Sequence, residues 1–492
     1  MNEIHCPLVR AFHRLARRAP QAPALLGPDG TVVARRGELA AAAAALAGTL
    51  AEHIQPGATV VLSLPNAGGL VPAFLALREL GARVALVDAA APMHELARCA
   101  ATVGAQTILA SQERLAQLGV VWSDGLLALA VGPPLEAVVL PPGTAVLKLT
   151  SGSTGQPRAV AVTARQLVAD TVKIMHTMGV RPQDVTLAAI PMTHSYGLGS
   201  CLVPALLAGT PLALPSSALP GALAHTLAAA RVAHFPAVPA MIRAVATLAT
   251  PETTASLRVC LAAGAPLLPA DAEAFHRATG HPVHVFYGSS ECGGITYDRR
   301  EEPRPSAGCV GTAMEGVVVE VVDEAGHPQP PGTEGRVLVR SRSVAAGTVP
   351  PSDPAILSPG RFLTGDLGVL DEAGQLTLSG RVADLLNVAG KKVHPDEVRR
   401  VLEALPGVTA AAVLGLPDPH RGELVAAVVA VEPGAGLTVR AVLSACRQRL
   451  SPHKVPRRIV FVRELPVSER GKVRRDELLR LLNHGSPSEA SP

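Results

Sequence analysis

Aromatic side chains are nearly missing from this sequence. Only 2% of its 492 residues are Phe, Tyr or Trp, with a single Trp, so Ala, Val and Leu must form most of the core. Charged residues are also sparse, at 17% against 48% hydrophobic, so burial is no obstacle to folding. The seven cysteines (Cys6, Cys99, Cys201, Cys260, Cys292, Cys309, Cys446) form no CxxC pair. That argues against a zinc or disulfide framework and predicts reduced thiols in a cytoplasmic protein. The net charge is +4 without a dense basic tract, so nucleic-acid binding is not indicated. The N-terminus has neither an uninterrupted apolar core nor a cleavage-like site, and no signal peptide is expected. Between residues 185 and 230 there is no Lys, Arg, Asp or Glu at all. Five prolines (Pro191, Pro204, Pro211, Pro215, Pro220) interrupt that run, which favours a buried α/β core over a membrane span.

Lysine is the most uneven absence. Of 44 basic residues only six are Lys: Lys148, Lys173, Lys391, Lys392, Lys454 and Lys472. An ammonium is a compact point charge on a slim stem, so a Lys kept against such a bias can do what a guanidinium cannot. The other reading is that six is what the bias leaves, and composition does not separate the two.

The length predicts two or three domains. Helix-like and strand-like runs alternate over residues 40–130: helix 40–53, strand 59–64, helix 69–80, strand 83–87. This is the pattern of βαβ units and a largely parallel sheet. Thr163 and Gln166 have capping-box spacing ahead of a helical apolar stripe, and Gly179 ends that helix. Residues 305–380 read as a β-rich subdomain of hairpins. Helix 394–405, strands 410–416 and 425–431, helix 439–450 and strand 458–462 form a compact α+β unit. The stretch from Asp384 onward carries 17 Lys+Arg against 12 Asp+Glu, a net of +5, which leaves −1 for the rest. A small basic domain beside a neutral large one suggests that the small one meets an anion. The boundaries expected are a large domain 1–380, a hinge 381–384, a small domain 385–482 and a disordered tail 483–492.

Strand 146–150 runs into SGSTGQPR at 151–158, and a second strand follows at 159–162. Small residues let backbone N–H groups and hydroxyls close around phosphate oxygens, and Arg158 adds charge. No Gly-Lys-Ser/Thr follows, so this is not a Walker A loop.

LTSGSTGQPRAV resembles the signature loop of the adenylate-forming superfamily of acyl-CoA synthetases, aryl-CoA ligases, luciferases and peptide-synthetase adenylation domains. Further matches follow in order: PMTHSYG at 191–197, AGAPL at 263–267, YGSSE at 287–291, TGD at 364–366, GR at 380–381 and GK at 471–472. The resemblance covers almost the whole chain. It implies an α/β fold, with a large domain of mostly parallel sheets and a small mobile α+β domain.

It also implies a site. Thr150, Ser151, Gly152, Ser153, Thr154, Gly155 and Arg158 would grip ATP phosphates. Gly264, Ala265, Pro266, Gly288, Ser289 and Ser290 would surround the nucleotide, and Tyr287 would stack on adenine. Glu291, with Thr154, would hold Mg²⁺, which takes one or two carboxylates plus phosphate oxygens. Asp366 would bind the ribose hydroxyls and Arg381 the nucleotide. His194 would sit at the carboxylate end of an acid pocket lined by Tyr196, Ser200, Val238, Ala240 and the run Gly293, Gly294, Ile295. Lys472 would contact the carboxylate and α-phosphate as charge shifts during attack. Gly390, Lys391 and Lys392 would meet the phosphates of coenzyme A.

Some positions depart from the family. Arg158 stands where Lys is common, and Ala159 and Ala263 replace frequent glycines. Arg336 replaces a frequent Glu, at a place expected to lie away from the chemistry. Ala383 occupies the hinge where relatives have Asp or Lys. The leading expectation is an acid–CoA ligase that makes an acyl-AMP from a fatty or aryl acid. The alternatives are loading of an acyl- or peptidyl-carrier protein, or an inactive nucleotide-binding scaffold.

Overall fold

The computed structural model describes residues 6–116, 119–132, 135, 137–151, 157–300, 308–382, 385–388, 391–418, 422–467 and 473–484. The chain divides into two compact units. The first comprises residues 1–320, 338–363 and 374–376, and the second residues 321–337, 364–373 and 377–492.

In the first unit, eight strands among the described residues form one sheet. Its order is Gly347–Val349, Pro157–Thr163, Thr144–Ser151, Arg83–Leu86, Thr59–Ser63, Thr107–Ser111, Leu127–Val131, Val120–Ser123. The central pairings, of Thr59–Ser63 with both neighbours and of Arg83–Leu86 with Thr144–Ser151, are parallel. Their residues Val60, Val61, Leu62, Val84, Ala85 and Leu86 are almost fully buried. Such continuous apolar runs suit a strand covered on both faces. A second sheet runs through parallel strands Pro23–Leu26, Leu212–Ala213, Thr186–Leu187, His234–Ala237, Val259–Ala262 and His284–Ser289. Antiparallel Gly293–Tyr297 and Cys309–Ala313 continue it.

The capping box forms as expected. Gln166 N–H donates to Thr163 Oγ1 and Thr163 N–H to Gln166 Oε1, opening helix Ala164–Met178. Gly179 closes that helix at φ +66°, a left-handed conformation that costs glycine little. The charge-free stretch forms short elements, the longest being helix Pro220–Ala229. Among the described residues no helix is long and apolar enough to cross a membrane.

In the second unit, Val408–Asp418 and Gly422–Val431 form a long antiparallel pair, and Arg458–Val462 adds in parallel. Ala411, Val425, Ala427 and Val429 pack with Val398, Leu402, Val442 and Cys446 of helices Pro395–Glu403 and Val439–Arg449. Ala412, Leu414, Ala426 and Val428, with opposite parity, pack against Leu478 and Leu482. Those two leucines belong to helix Arg475–His484, which the sequence reading did not anticipate. Asn483 and His484, expected in a disordered tail, end this helix, because Leu482 anchors the preceding turn at full burial.

Candidate active site

The glycine- and serine-rich segment joins two antiparallel strands, with Thr150 opposite Arg158 and Ser151 opposite Pro157. Thr150 Oγ1 donates to the Arg158 carbonyl at 3.2 Å. Gly152, Ser153, Thr154 and Gly155, and the side chain of Ser151, lie outside the described residues. Arg158 is anchored on the next strand of the sheet: its guanidinium donates to Thr348 Oγ1 at 3.1 Å and also to Ser352 Oγ.

Several expected pocket residues follow the carboxyl ends of neighbouring parallel strands, where open α/β sheets bind ligands. Val238 follows His234–Ala237, and Gly264, Ala265 and Pro266 follow Val259–Ala262. A Cβ at Gly264, whose φ is +85°, would lie 3.9 Å from Val238 Cγ1. Tyr196 O–H donates to the Ala237 carbonyl at 3.3 Å, and its ring lies 5.6 Å from that of Phe286, just before Tyr287. Burial pushes the Tyr196 hydroxyl well above the usual phenol range, so it stays protonated.

The neighbouring Ser195 Oγ meets Ser290 Oγ at 2.7 Å. The PMTHSYG and YGSSE segments are thereby joined directly. Tyr287 to Ser289 end strand His284–Ser289, which turns back antiparallel into Gly293–Tyr297. Glu291 sits in that turn, half-buried, with its N–H donated to Ser289 Oγ at 3.2 Å. Gly288 and Gly293 pack closely, and a Cβ at Gly288 would come within 2.5 Å of the Gly293 carbonyl.

His194 Nε2 lies 3.0 Å from Asp88 Oδ2. The sequence reading did not single out Asp88, which is 106 residues away. The signal available was its place two residues beyond the parallel strand Arg83–Leu86. Asp88 Oδ1 accepts from Ala90 N–H at 3.0 Å, and the Asp88 carbonyl accepts from Ser63 Oγ at 3.2 Å. The carboxylate is thus held before it meets the imidazole. Ser200 lies in a π-helical turn, Leu198–Leu202, fully buried, and its hydroxyl has no partner among the described residues. Such turns recur at functional sites.

The second unit carries Asp366 and Arg381, paired with each other through Arg381 Nε and Asp366 Oδ1 at 2.9 Å. Asp366 N–H donates to Thr364 Oγ1 at 3.1 Å. Arg336 donates to the Thr364 carbonyl at 3.0 Å. Arg336 therefore supports strand Arg361–Leu370, which presents Asp366, and this corrects the expectation that it lies apart from the expected site residues. Lys391 is exposed on strand Lys391–Val393. Gly390, Ala383, Lys472 and the side chain of Lys392 lie outside the described residues.

The family model described as AMP-binding enzyme matches residues 12–348, and that of the AMP-binding enzyme C-terminal domain matches residues 397–472. A feruloyl-CoA synthase of Amycolatopsis sp is 29% identical over 480 residues, 95% of this chain and 97% of its own length. A sulfoacetate–CoA ligase of Cupriavidus necator is 31% identical over 348 residues, 70% of this chain and 68% of its own. Among solved structures, ATP-bound MatB from Rhodopseudomonas palustris superposes with a TM-score of 0.81 at 26% identity, covering 96% of this chain and 98% of its own.

Proposed function

This chain belongs to the AMP-binding enzyme family, in the adenylate-forming superfamily and of the CoA-ligase type, and from that premise we infer an AMP-forming acid–thiol ligase. It activates a carboxylic acid with ATP to an acyl-AMP and pyrophosphate, then transfers the acyl group to the thiol of coenzyme A, releasing AMP. The observation that carries the reading is the junction of Ser195 with Ser290, which brings the His194 segment and the Tyr287–Glu291 segment together.

The residue roles follow. Arg158 and the 150–155 segment grip phosphates, Tyr287 faces adenine, and Asp366 and Arg381 serve the ribose and nucleotide. Asp366 and Arg381 neutralise one another, so the acid is not left as a lone buried charge. Among the described residues no three His, Cys, Asp or Glu side chains converge as a resident metal cage would need. Glu291, with Thr154, would hold a Mg²⁺ ion that arrives on nucleotide phosphates, where the ion would neutralise developing charge. With Nε2 committed to Asp88, His194 has Nδ1 to turn to the substrate carboxylate. Lys472 supplies the cation where charge develops in the attack. Gly390, Lys391 and Lys392 serve coenzyme A, and the hinge at Ala383 joins a large domain 1–380 to a small domain 385–482.

The acid is aryl or fatty. The alignment with a feruloyl-CoA synthase over 95% of this chain favours an aryl acid, and the open space beside Gly264, where a Cβ would meet only Val238 Cγ1 at 3.9 Å, suits a ring. All seven cysteines are free, which supports a cytoplasmic setting. A panel of carboxylic acids with pyrophosphate readout tests the first step, and consumption of free coenzyme A tests the second. No pyrophosphate with any acid, or a carrier protein accepted in place of coenzyme A, would overturn the corresponding half.

A further inference from the structure

Lys148 and Lys173 are lysines with no role in the function just proposed. Both are buried, at 5% and 7% exposure, and between them lies a third buried charge, Asp170, at 6%. Lys173 Nζ reaches Asp170 Oδ1 at 3.0 Å, the Gly294 carbonyl at 2.6 Å and Ser343 Oγ at 2.7 Å. An ammonium has three N–H donors, and here each has an acceptor. Asp170 Oδ1 in turn accepts the Gly294 N–H at 3.0 Å. The ion pair therefore takes both backbone polar groups of one pocket glycine.

The same grip extends back along the turn. Ser343 Oγ donates to the Cys292 carbonyl at 2.7 Å, and Ala345 N–H donates to the Glu291 carbonyl at 2.7 Å. Lys148 Nζ donates to the Ser290 carbonyl at 3.2 Å. Four of the five carbonyls from 290 to 294 are thus held from outside the turn. Gly293 is shaped by the same pair: at φ +70°, a Cβ there would lie 2.1 Å from Asp170 Oδ1, so the carboxylate occupies the space of a side chain. Burial lowers the pKa of Lys148, and Asp170, Cys292 and Glu291 oppose that fall. A flat five-donor guanidinium does not fit a site built for three converging acceptors at the end of a slim stem.

We propose that Lys173, Asp170 and Lys148 are positioning residues for adenylation: a buried charged clamp that fixes the Ser290–Gly294 backbone, and with it the placement of Glu291 and the glycine wall of the acid pocket. The proposal rests on the ligase reading. The clamp touches neither acid nor nucleotide, so its effect passes through the turn. Lys173 acts on Gly294, toward the acid, and Lys148 acts on Ser290, toward the nucleotide.

The test uses the full chain and acid-dependent pyrophosphate–ATP exchange, with an acid on which the wild type works. Lys173→Met with Asp170→Asn removes the pair without leaving a lone buried charge. It is expected to raise KM for the acid about tenfold with KM for ATP changed less than threefold. Lys148→Met is expected to show the reverse split, and Lys173→Arg to fail to restore the wild-type KM. Ser343→Ala, which removes one acceptor and leaves the ion pair, is expected to raise the acid KM about threefold; it keeps the test decisive if the double variant does not fold. Folded variants with wild-type KM values, or equal losses toward both substrates, overturn the clamp and leave the ligase reading standing. A folded wild type that shows no pyrophosphate–ATP exchange with any acid overturns the ligase reading itself, and the clamp with it.

Discussion

His194 is set by Asp88, and this pair carries the sharpest single-residue expectation. Asp88→Asn keeps the shape but removes the charge that faces Nε2 at 3.0 Å. A fall of about tenfold in kcat/KM for the acid is expected, equal to ~1.4 kcal/mol of transition-state stabilisation, with KM for ATP nearly constant. Steady-state kinetics on both substrates checks this. A second histidine bears on stability instead. Burial holds His234 down to about 4, with its Nδ1 at 3.2 Å from Thr186 Oγ1. Its unfolded value is near 6.5, so the folded value is the depressed one. Below the unfolded value the unfolded chain binds the extra proton. The stabilisation is therefore complete above about pH 6.5 and is lost as pH falls toward 4, to an extent on the order of 3 kcal/mol. His234→Asn should flatten that limb of a melting-temperature profile between pH 7.5 and 4.5.

Among the elements, helix Ala164–Met178 matters because it presents Asp170 and Lys173 on its buried side. Its start depends on Thr163, so Thr163→Ala should cost about 1 kcal/mol, read as a lower midpoint in urea at unchanged slope. The ion pair itself should behave non-additively. Asp170→Ala strands a buried ammonium, and a loss of about 3–5 kcal/mol is expected. Asp170→Asn with Lys173→Met should lose less than the sum of its single changes, a coupling that a double-mutant cycle of urea midpoints measures. Around the glycine- and serine-rich segment, the strands on either side bond to each other and, beyond, to Arg83–Leu86 and Gly347–Val349. Its ends are thus fixed by the sheet.

At the scale of the whole molecule, the elements that repeat with a clear period were legible in the sequence. The apolar runs at 59–64 and 83–87, the capping box at Thr163 and the strands at 410–416 and 425–431 all follow local patterns that the fold preserves. The motif segments were legible because each carries its chemistry within a few residues. Asp88 and Asp170 were not, since their partners are 106 and 124 residues away and only the folded sheet brings them together. Helix Arg475–His484 was missed because its few apolar residues make sense only against the partner face of Ala412 and Leu414. The hinge proposed at Ala383 gives a prediction at this scale. Ala383→Asp, which adds a side-chain acceptor there, should change the ratio of thiolation to adenylation rates, measured as coenzyme A consumed against pyrophosphate released.

The burial of Lys148 and Lys173 also divides the chain for a chemist. An amine-reactive label applied to the native protein has no accessible side chain to modify before residue 390, because both lysines there are sealed within the interior. Apart from the α-amino group, the mass added should map beyond residue 390, where Lys391 is exposed. Modification at Lys148 or Lys173 would then report that the turn around Glu291 has opened. This makes the two lysines an internal gauge of local unfolding.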